Sequence, residues 1–435
     1  MLDQLGGIAI SPDSIQWLLT PKNFKETLID SINAAQRVIY IAALYLEDDE
    51  AGREVLAALL NAKARRPALD IKVLVDFHRA RRGLIGHKGD SGNYQLYRKL
   101  MANAAQPFTI YGVPVKSREF LGVLHLKGFV IDDTVIYSGA SLNNVYLQQQ
   151  ERYRLDRYYL LKSAELAASM RNMIDEYILS NSAVVSLSSL QEQLPERHEI
   201  KALKQQLCSA RYRFRDGHAP LRLTPMVGLG RKQNLLNNTV LQLVKESRQS
   251  LFVCTPYFNP PYLLMRALAK HLRSGRGLDI VVGDKTANDF FIPSDQPFST
   301  IGALPYLYEQ SLRKFAKQQQ WAIDNGLLRI HLWHHERNSF HLKGISMDER
   351  KHLLTGSNLN PRAWALDLEN GILLHDDQQV LASKFREEQQ QLLQYTREIS
   401  HYSQLETLQS YPLAVKKILT RIRRLRADFL LRRIL

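Results

Sequence analysis

Apolar and polar positions along this chain switch between a helical and a strand-like period, and the switching comes round twice. Residues 22–36 carry apolar side chains at helical spacing, and Arg37–Tyr45 is an apolar run of strand length. Acidic Glu47–Glu50 opens a second helix through Lys63, as expected where carboxylates meet the positive end of a helix. Pro67 stops it, and Asp70–Asp76 is the next strand. The order returns with a helix over Thr239–Ser247, a strand over Ser250–Pro256, a helix over Pro260–Ser274 and a strand over Leu278–Asp284. Each round closes on one more apolar run, His125–Asp132 and His341–Asp348, which reads as a buried strand. The repetition predicts a duplicated α/β unit with largely parallel sheets covered on both faces. The stretch 181–216, rich in Ser, Gln and charge with Pro195 inside, reads as a connection. It separates a first half, 1–180, from a second, 217–400, with 401–435 as a tail.

The two closing runs share more than hydrophobicity. Both read H-x-K-x4-D: His125, Lys127 and Asp132, then His341, Lys343 and Asp348. Ser138–Asn143 follows the first and Thr355–Asn360 the second; further on, Leu155-Asp156-Arg157 answers Leu368-Glu369-Asn370. In a strand, positions i and i+2 share a face, so each His emerges beside its Lys. An imidazole beside an ammonium, presented twice, suits phosphoryl chemistry. One His can attack, the other can carry protons, and the two Lys can hold the negative oxygens. Neither signature alone completes a site, so the halves are expected to meet with the pairs converging at a pseudo-twofold axis.

Composition narrows the setting. A chain of 435 residues is too long for one simple core, and 45% hydrophobic with 23% charged residues is the balance of a folded protein. Two cysteines exclude a disulfide framework and a cysteine-rich zinc site, and fit a reducing compartment. Met1–Thr20 lacks the basic and apolar regions of a secretory signal, and no apolar run is long enough to span a membrane. The net charge of +15 calls for an anionic partner: nucleic acid, anionic lipid or a phosphorylated substrate. Much of it lies in the tail, where Lys416, Lys417, Arg421, Arg423, Arg424, Arg426, Arg432 and Arg433 face one acid, Asp428. Val415, Ile418, Ile422, Leu425 and Phe429 recur there at helical spacing, so the tail reads as a basic amphipathic helix.

Paired H-x-K-x4-D motifs with trailing G-S-x-N-like segments resemble the phospholipase D superfamily. Ala43–Glu47, Val75–Ala80, Gly122–His125, Gly139–Asn143, Gly283–Phe290, Ile301–Tyr308 and Asn360–Trp364 are similar to its bacterial phosphatidylserine-synthase branch. The resemblance implies transfer of a phosphatidyl group from CDP-diacylglycerol to L-serine, releasing CMP, through a phosphatidyl-histidine and without a cofactor; a cardiolipin synthase or a phospholipase D-type hydrolase using the same site is the alternative. It casts His125 as nucleophile and His341 as proton carrier. Lys127, Lys343, Asn143 and Asn360 would hold oxygens, and Asp156 and Glu369 would each fix an imidazole. Asp132 and Asp348 would support the motif, holding a loop or touching substrate. A lipid substrate turns the tail toward an anionic membrane surface and places the protein peripherally on the cytoplasmic face of the inner membrane. Nucleic acid is the less favoured partner, since no RNA-binding motif accompanies the basic residues.

Four further residues are candidates for substrate contact. Arg79 and Arg82 lead into the glycine-rich stretch Gly83–Gly92, and Asp284 and Lys285 follow a strand's carboxyl end, where α/β sites gather. His331, His334 and His335 with Glu336 read as a polar loop and not as a metal site, because no H-E-x-x-H or cysteine partner accompanies them.

Overall fold

The computed structural model describes residues 2–82, 92–191, 194–293 and 295–424. Stretch 83–91 therefore falls outside it, as do Arg426, Phe429, Arg432 and Arg433 of the tail. The alternating pattern becomes two mixed sheets with helices packed on them. In the first, the strands run in the order Val185–Ser186, Thr109–Val113, Asp70–Asp76, Val38–Ala42, Gly128–Ile131, Thr134–Ser138, Tyr158–Lys162 and Ile15–Trp17. In the second the order is Ile8–Ala9, Leu221–Leu229, Leu368–Asp376, Lys351–Thr355, Gly344–Met347, Ser250–Thr255, Gly277–Gly283, Leu328–Trp333 and Thr396–Glu398.

Only a trio in each sheet is parallel: 38–42 with 70–76 and 109–113, and 250–255 with 277–283 and 328–333. The strands that follow the signatures join antiparallel. That corrects the expectation of largely parallel sheets. Gly128–Ile131 and Gly344–Met347 reach their next strands through a two-residue turn at Asp132–Asp133 and a three-residue turn at Asp348–Arg350, too short for the crossover that a parallel pair requires.

Helix boundaries follow local chemistry. Thr20 accepts from Asn23 N at 3.1 Å and Pro21 opens the helix Pro21–Ala34. Asp49 caps Glu50–Arg65 by accepting from Gly52 N at 2.9 Å. Within the stretch expected as a plain connection, Arg197–Cys208 forms a helix because Ile200, Leu203 and Leu207 fall on one buried face.

The halves are fused through an apolar layer. Leu126, Tyr137 and Met170 of the first pack with Leu223, Leu354 and Leu368 of the second in one buried cluster. The N-terminal segment ties both sheets, its strand 8–9 pairing with 221–229 and its strand 15–17 with 158–162.

At the other end, the helix Leu413–Arg424 turns Val415 and Leu419 into a small core with Ala303, Tyr306 and Tyr411. The apolar stripe read as membrane-facing is therefore covered by protein over this length. Lys417, Arg421 and Arg424 remain on its exposed side, with Lys416 half-buried.

Candidate active site

The signature residues sit in extended segments just before the strands, not within them: the ladders begin at Gly128 and Gly344. What positions them is pairing between halves. Leu124 bridges Leu368, and His125 N donates to Leu368 O at 3.0 Å. Asp76 accepts from Leu124 N at 2.9 Å, and Asp367 accepts from Val123 N at 3.0 Å. Asn370 clamps Lys127 from both sides, accepting from its N–H at 2.9 Å and donating to its carbonyl at 2.8 Å. In the second half, Ser339–Phe340 pairs in parallel with Arg154–Leu155, and His341 N donates to Leu155 O at 2.8 Å.

The catalytic candidates consequently pair crosswise. His125 Nδ1 lies 2.9 Å from Glu369 Oε2 of the second half, and His341 Nδ1 lies 3.1 Å from Asp156 Oδ2 of the first. Lys343 Nζ reaches Asp156 Oδ2 at 2.7 Å and His341 Nδ1 at 2.5 Å, while Lys127 Nζ donates to Ser141 Oγ at 3.2 Å. Tyr146 of the first half brings its hydroxyl to 2.9 Å from His341 Nδ1.

Two glycines make room for this exchange. A Cβ on Gly139 would stand 2.6 Å from Lys343 Nζ, and one on Gly356 would stand 2.7 Å from Lys127 Cγ. Each half's S/T-G turn thus cradles the other half's lysine, a physical reason for the glycine at these positions.

Electrostatics set the protonation. His125 is buried and ringed by Lys127, Lys343 and His341, which press its imidazole well below its usual range and keep it neutral. Burial and Lys343 bring His341 down to about 4, while Asp156 and Asp289 favour its charged form. Burial and the facing Lys343 lower Lys127 to about 7. Burial also lowers Lys343, with Asp156 opposing. The Glu369 carboxyl is raised by burial and by Asp367, and its Oε2 faces His125 Nδ1. Asp156 would rise on burial, but Lys343 and His341 hold it below the usual carboxylate range.

Other sequence candidates are employed differently. Asp132 accepts from Gln36, Arg37 and Val38 N–H groups at 2.8–3.0 Å, and Asp348 from Arg248, Gln249 and Ser250 N–H groups at 2.7–2.9 Å. They tie down the entries to the strands Val38–Ala42 and Ser250–Thr255 and stand away from the histidines. Asn143 accepts from Tyr146 N at 3.0 Å and Asn360 caps the helix Pro361–Ala365. Arg79 lies buried against Glu47 at 2.8 Å and over the Tyr45 ring. Arg82 pairs with Glu119, Lys285 sits between Glu309 and Glu406, and Asp284 closes a turn on Thr286. The charges of Arg82 and Lys285 are met by carboxylates. His335 is held by Tyr153 at 2.6 Å and stacks on Tyr395, and His331 faces Asp279. Among the described residues no cluster of His, Cys, Asp and Glu could hold a metal ion.

Asp76, Asp367 and Asn370 escaped the sequence reading. Two of them carried a signal: Asn370 stands beside Glu369 in the segment that answers Leu155-Asp156-Arg157, and Asp76 lies in the stretch Val75–Ala80.

Residues 28–178 and 240–393 match the family model described as cardiolipin synthase, PLD-like domain. Over its full length the chain is 45% identical to the CDP-diacylglycerol–serine O-phosphatidyltransferase of Escherichia coli (strain K12), covering 97% of that protein. It is 44% identical to the Haemophilus influenzae enzyme of the same name, again over 100% of this chain and 97% of the relative. The crystal structure of the Haemophilus influenzae phosphatidylserine synthase superposes with a TM-score of 0.97 at 43% identity, covering 100% of this chain and 98% of that one.

Proposed function

The chain belongs to the phospholipase D-like family of CDP-diacylglycerol–serine O-phosphatidyltransferases, and on that premise we propose how its geometry turns CDP-diacylglycerol and L-serine into phosphatidylserine and CMP. The observation that carries the chemistry is the crossed pair: each histidine is oriented by a carboxylate of the opposite half, with a lysine beside it. The identity of the acceptor rests on the full-length likeness to the relatives.

His125 is the nucleophile. Its neighbours are cationic, so its imidazole stays neutral, and Glu369 holds Nδ1 so that Nε2 points its lone pair at phosphorus. Attack forms the P–Nε2 bond and breaks the bond from phosphorus to the bridging oxygen, which leaves with CMP and takes a proton from His341. His341, which burial and Lys343 hold down to about 4 against the pull of Asp156 and Asp289, then receives the proton of the serine hydroxyl. The serine oxygen attacks phosphorus, and the electron pair of the P–N bond returns to His125. Lys127 and Lys343 neutralise the oxygens of the pentacoordinate phosphorus in both steps, within a buried site where such contacts count most.

The substrate is a lipid, and no helix among the described residues is long and apolar enough to cross a membrane, so the enzyme works from the membrane surface. We place it on the cytoplasmic face, in keeping with its two free cysteines. Phe120, 54% exposed, and Leu121 stand with Arg118 on the turn that leads into His125, where acyl chains would emerge.

The test is purified enzyme with CDP-diacylglycerol in mixed micelles and labelled serine. Equal yields of phosphatidylserine and CMP are expected; CMP release indifferent to serine, with phosphatidic acid as product, would replace this reading by hydrolysis.

A further inference from the structure

The signature residues account for the phosphorus but leave the amino acid without a partner. L-Serine enters as a zwitterion, with a carboxylate and an ammonium on the carbon next to its hydroxymethyl group. The acceptor subsite therefore needs a fixed cation and a fixed anion beside the histidine that takes the hydroxyl proton.

One couple meets that requirement. Arg154 lies two residues before Asp156 and pairs in the ribbon with Ser339, two residues before His341. Asp289 follows the strand Gly277–Gly283, and its Oδ1 stands 2.7 Å from Arg154 Nε. The fit between them is incomplete. Asp289 Oδ1 is buried without a hydrogen bond, although Oδ2 accepts from Tyr257 O–H at 2.9 Å. The Arg154 side chain makes one hydrogen bond among the described residues, from Nε to Ser339 Oγ at 3.4 Å, which leaves both Nη atoms open.

The rings around the couple are those around the catalytic imidazole. Arg154 lies over Tyr146 at 4.6 Å, and the Tyr146 hydroxyl is 2.9 Å from His341 Nδ1. Tyr257 meets His341 edge-on with centroids 6.0 Å apart. Burial would raise the Asp289 carboxyl, yet Arg154 and His341 hold it below the usual range, so it meets a ligand as an anion.

We infer that Arg154 and Asp289 form the amino-acid subsite, Arg154 taking the acceptor's carboxylate and Asp289 its ammonium while His341 faces its hydroxyl. The inference rests on the phosphatidyltransferase reading above. A couple that served only to brace the fold would gain little, because desolvating two charges offsets most of their attraction unless every donor and acceptor is met. Here Asp289 Oδ1 has the ion pair with Arg154 but no hydrogen bond of good geometry, and the Arg154 Nη atoms bond to no described residue, so a zwitterion can add partners: a carboxylate across the guanidinium fork, and an ammonium against Asp289 and the tyrosine faces. The acceptor step then balances. The serine hydroxyl proton passes to His341, the serine oxygen bonds to phosphorus, and the P–Nε2 bond breaks with its electrons returning to His125. In the preceding step the same side holds the departing CMP phosphate, so Arg154 meets two anions in turn while Asp289 matters for the amine alone.

The test compares three acceptors with full-length enzyme and CDP-diacylglycerol: L-serine, ethanolamine, which lacks the carboxylate, and 3-hydroxypropionate, which lacks the ammonium. Asp289→Asn is expected to raise the serine KM at least about tenfold and to shrink the preference for serine over 3-hydroxypropionate about a hundredfold. Arg154→Gln should shrink the preference over ethanolamine by a similar factor. Either single change strands a buried charge, so the neutral double variant Arg154→Gln with Asp289→Asn is measured as well and should lose both preferences. If it keeps the wild-type order of acceptors, or if the single variants slow all three acceptors by one common factor, the couple is structural and the inference falls. If wild-type enzyme makes no phosphatidylserine at all, it is the underlying reaction that fails.

Discussion

At the scale of single residues, the crossed pairing separates the two half-reactions. In the proposed mechanism Glu369 serves the nucleophile and Asp156 the proton carrier, although each lies in the half that holds the other histidine. Glu369→Gln is therefore expected to slow adduct formation, seen as a CMP burst about a hundredfold slower, while Asp156→Asn slows chiefly the serine-dependent step. Quenched-flow measurement of CMP and phosphatidylserine in both variants separates them; equal slowing of both steps by both variants would contradict the assignment. A pH effect belongs here too. Burial and Lys343 bring Lys127 down to about 7, so above that pH the free enzyme loses a charge that the pyrophosphate needs. The KM for CDP-diacylglycerol should climb by up to about tenfold per pH unit above 7, with one proton taken up on binding. Sequence spacing exposed every one of these residues as chemistry-bearing. It could not show the crossing, because H-x-K and its carboxylate recur in each half and spacing alone does not say which copy faces which.

Secondary elements carry their own burdens. Asp132 and Asp348 each hold three backbone N–H groups at the start of a strand. Burial opposes their ionisation, but those donors win and hold both carboxyls below the usual range. Their contribution is complete above the unfolded carboxyl value of about 3.9 and is lost as pH falls through the lower folded value. Asp348→Asn keeps one acceptor oxygen and should cost about 1–3 kcal/mol, read as a lower melting midpoint at neutral pH that converges on wild type in acid. Gly356→Ala should leave the fold in place but push Lys127 aside, cutting turnover at least about tenfold, since its Cβ would sit 2.7 Å from Lys127 Cγ. Helices and strands with one clear face, such as 21–34 and 70–76, were legible in the chain. The third parallel strand of each trio, 109–113 and 328–333, was not, since each emerges behind irregular or polar sequence. The tail's stripe was legible as amphipathic but not as to what covers it. A helix with buried Val415 and Leu419 and a helix lying on lipid share one pattern.

For the whole molecule, the charge of +15 and the lipid substrate act together. Sedimentation with anionic vesicles should be strong at low salt and largely lost by about 1 M, where screening shortens to about 3 Å. Phosphatidylcholine vesicles should hold the protein poorly under all these conditions. Each signature thus completes its histidine only by borrowing from the other: Glu369 reaches His125, Asp156 reaches His341, Gly356 admits Lys127 and Gly139 admits Lys343. A shorter ancestor with a single signature would have been inert as a monomer and active only as a symmetric pair, both of its histidines bound to one role. Joining the copies in one chain releases them from that symmetry, and the differences between the copies, Asp156 against Glu369 and Ala140 against Ser357, fit two histidines no longer held to one role.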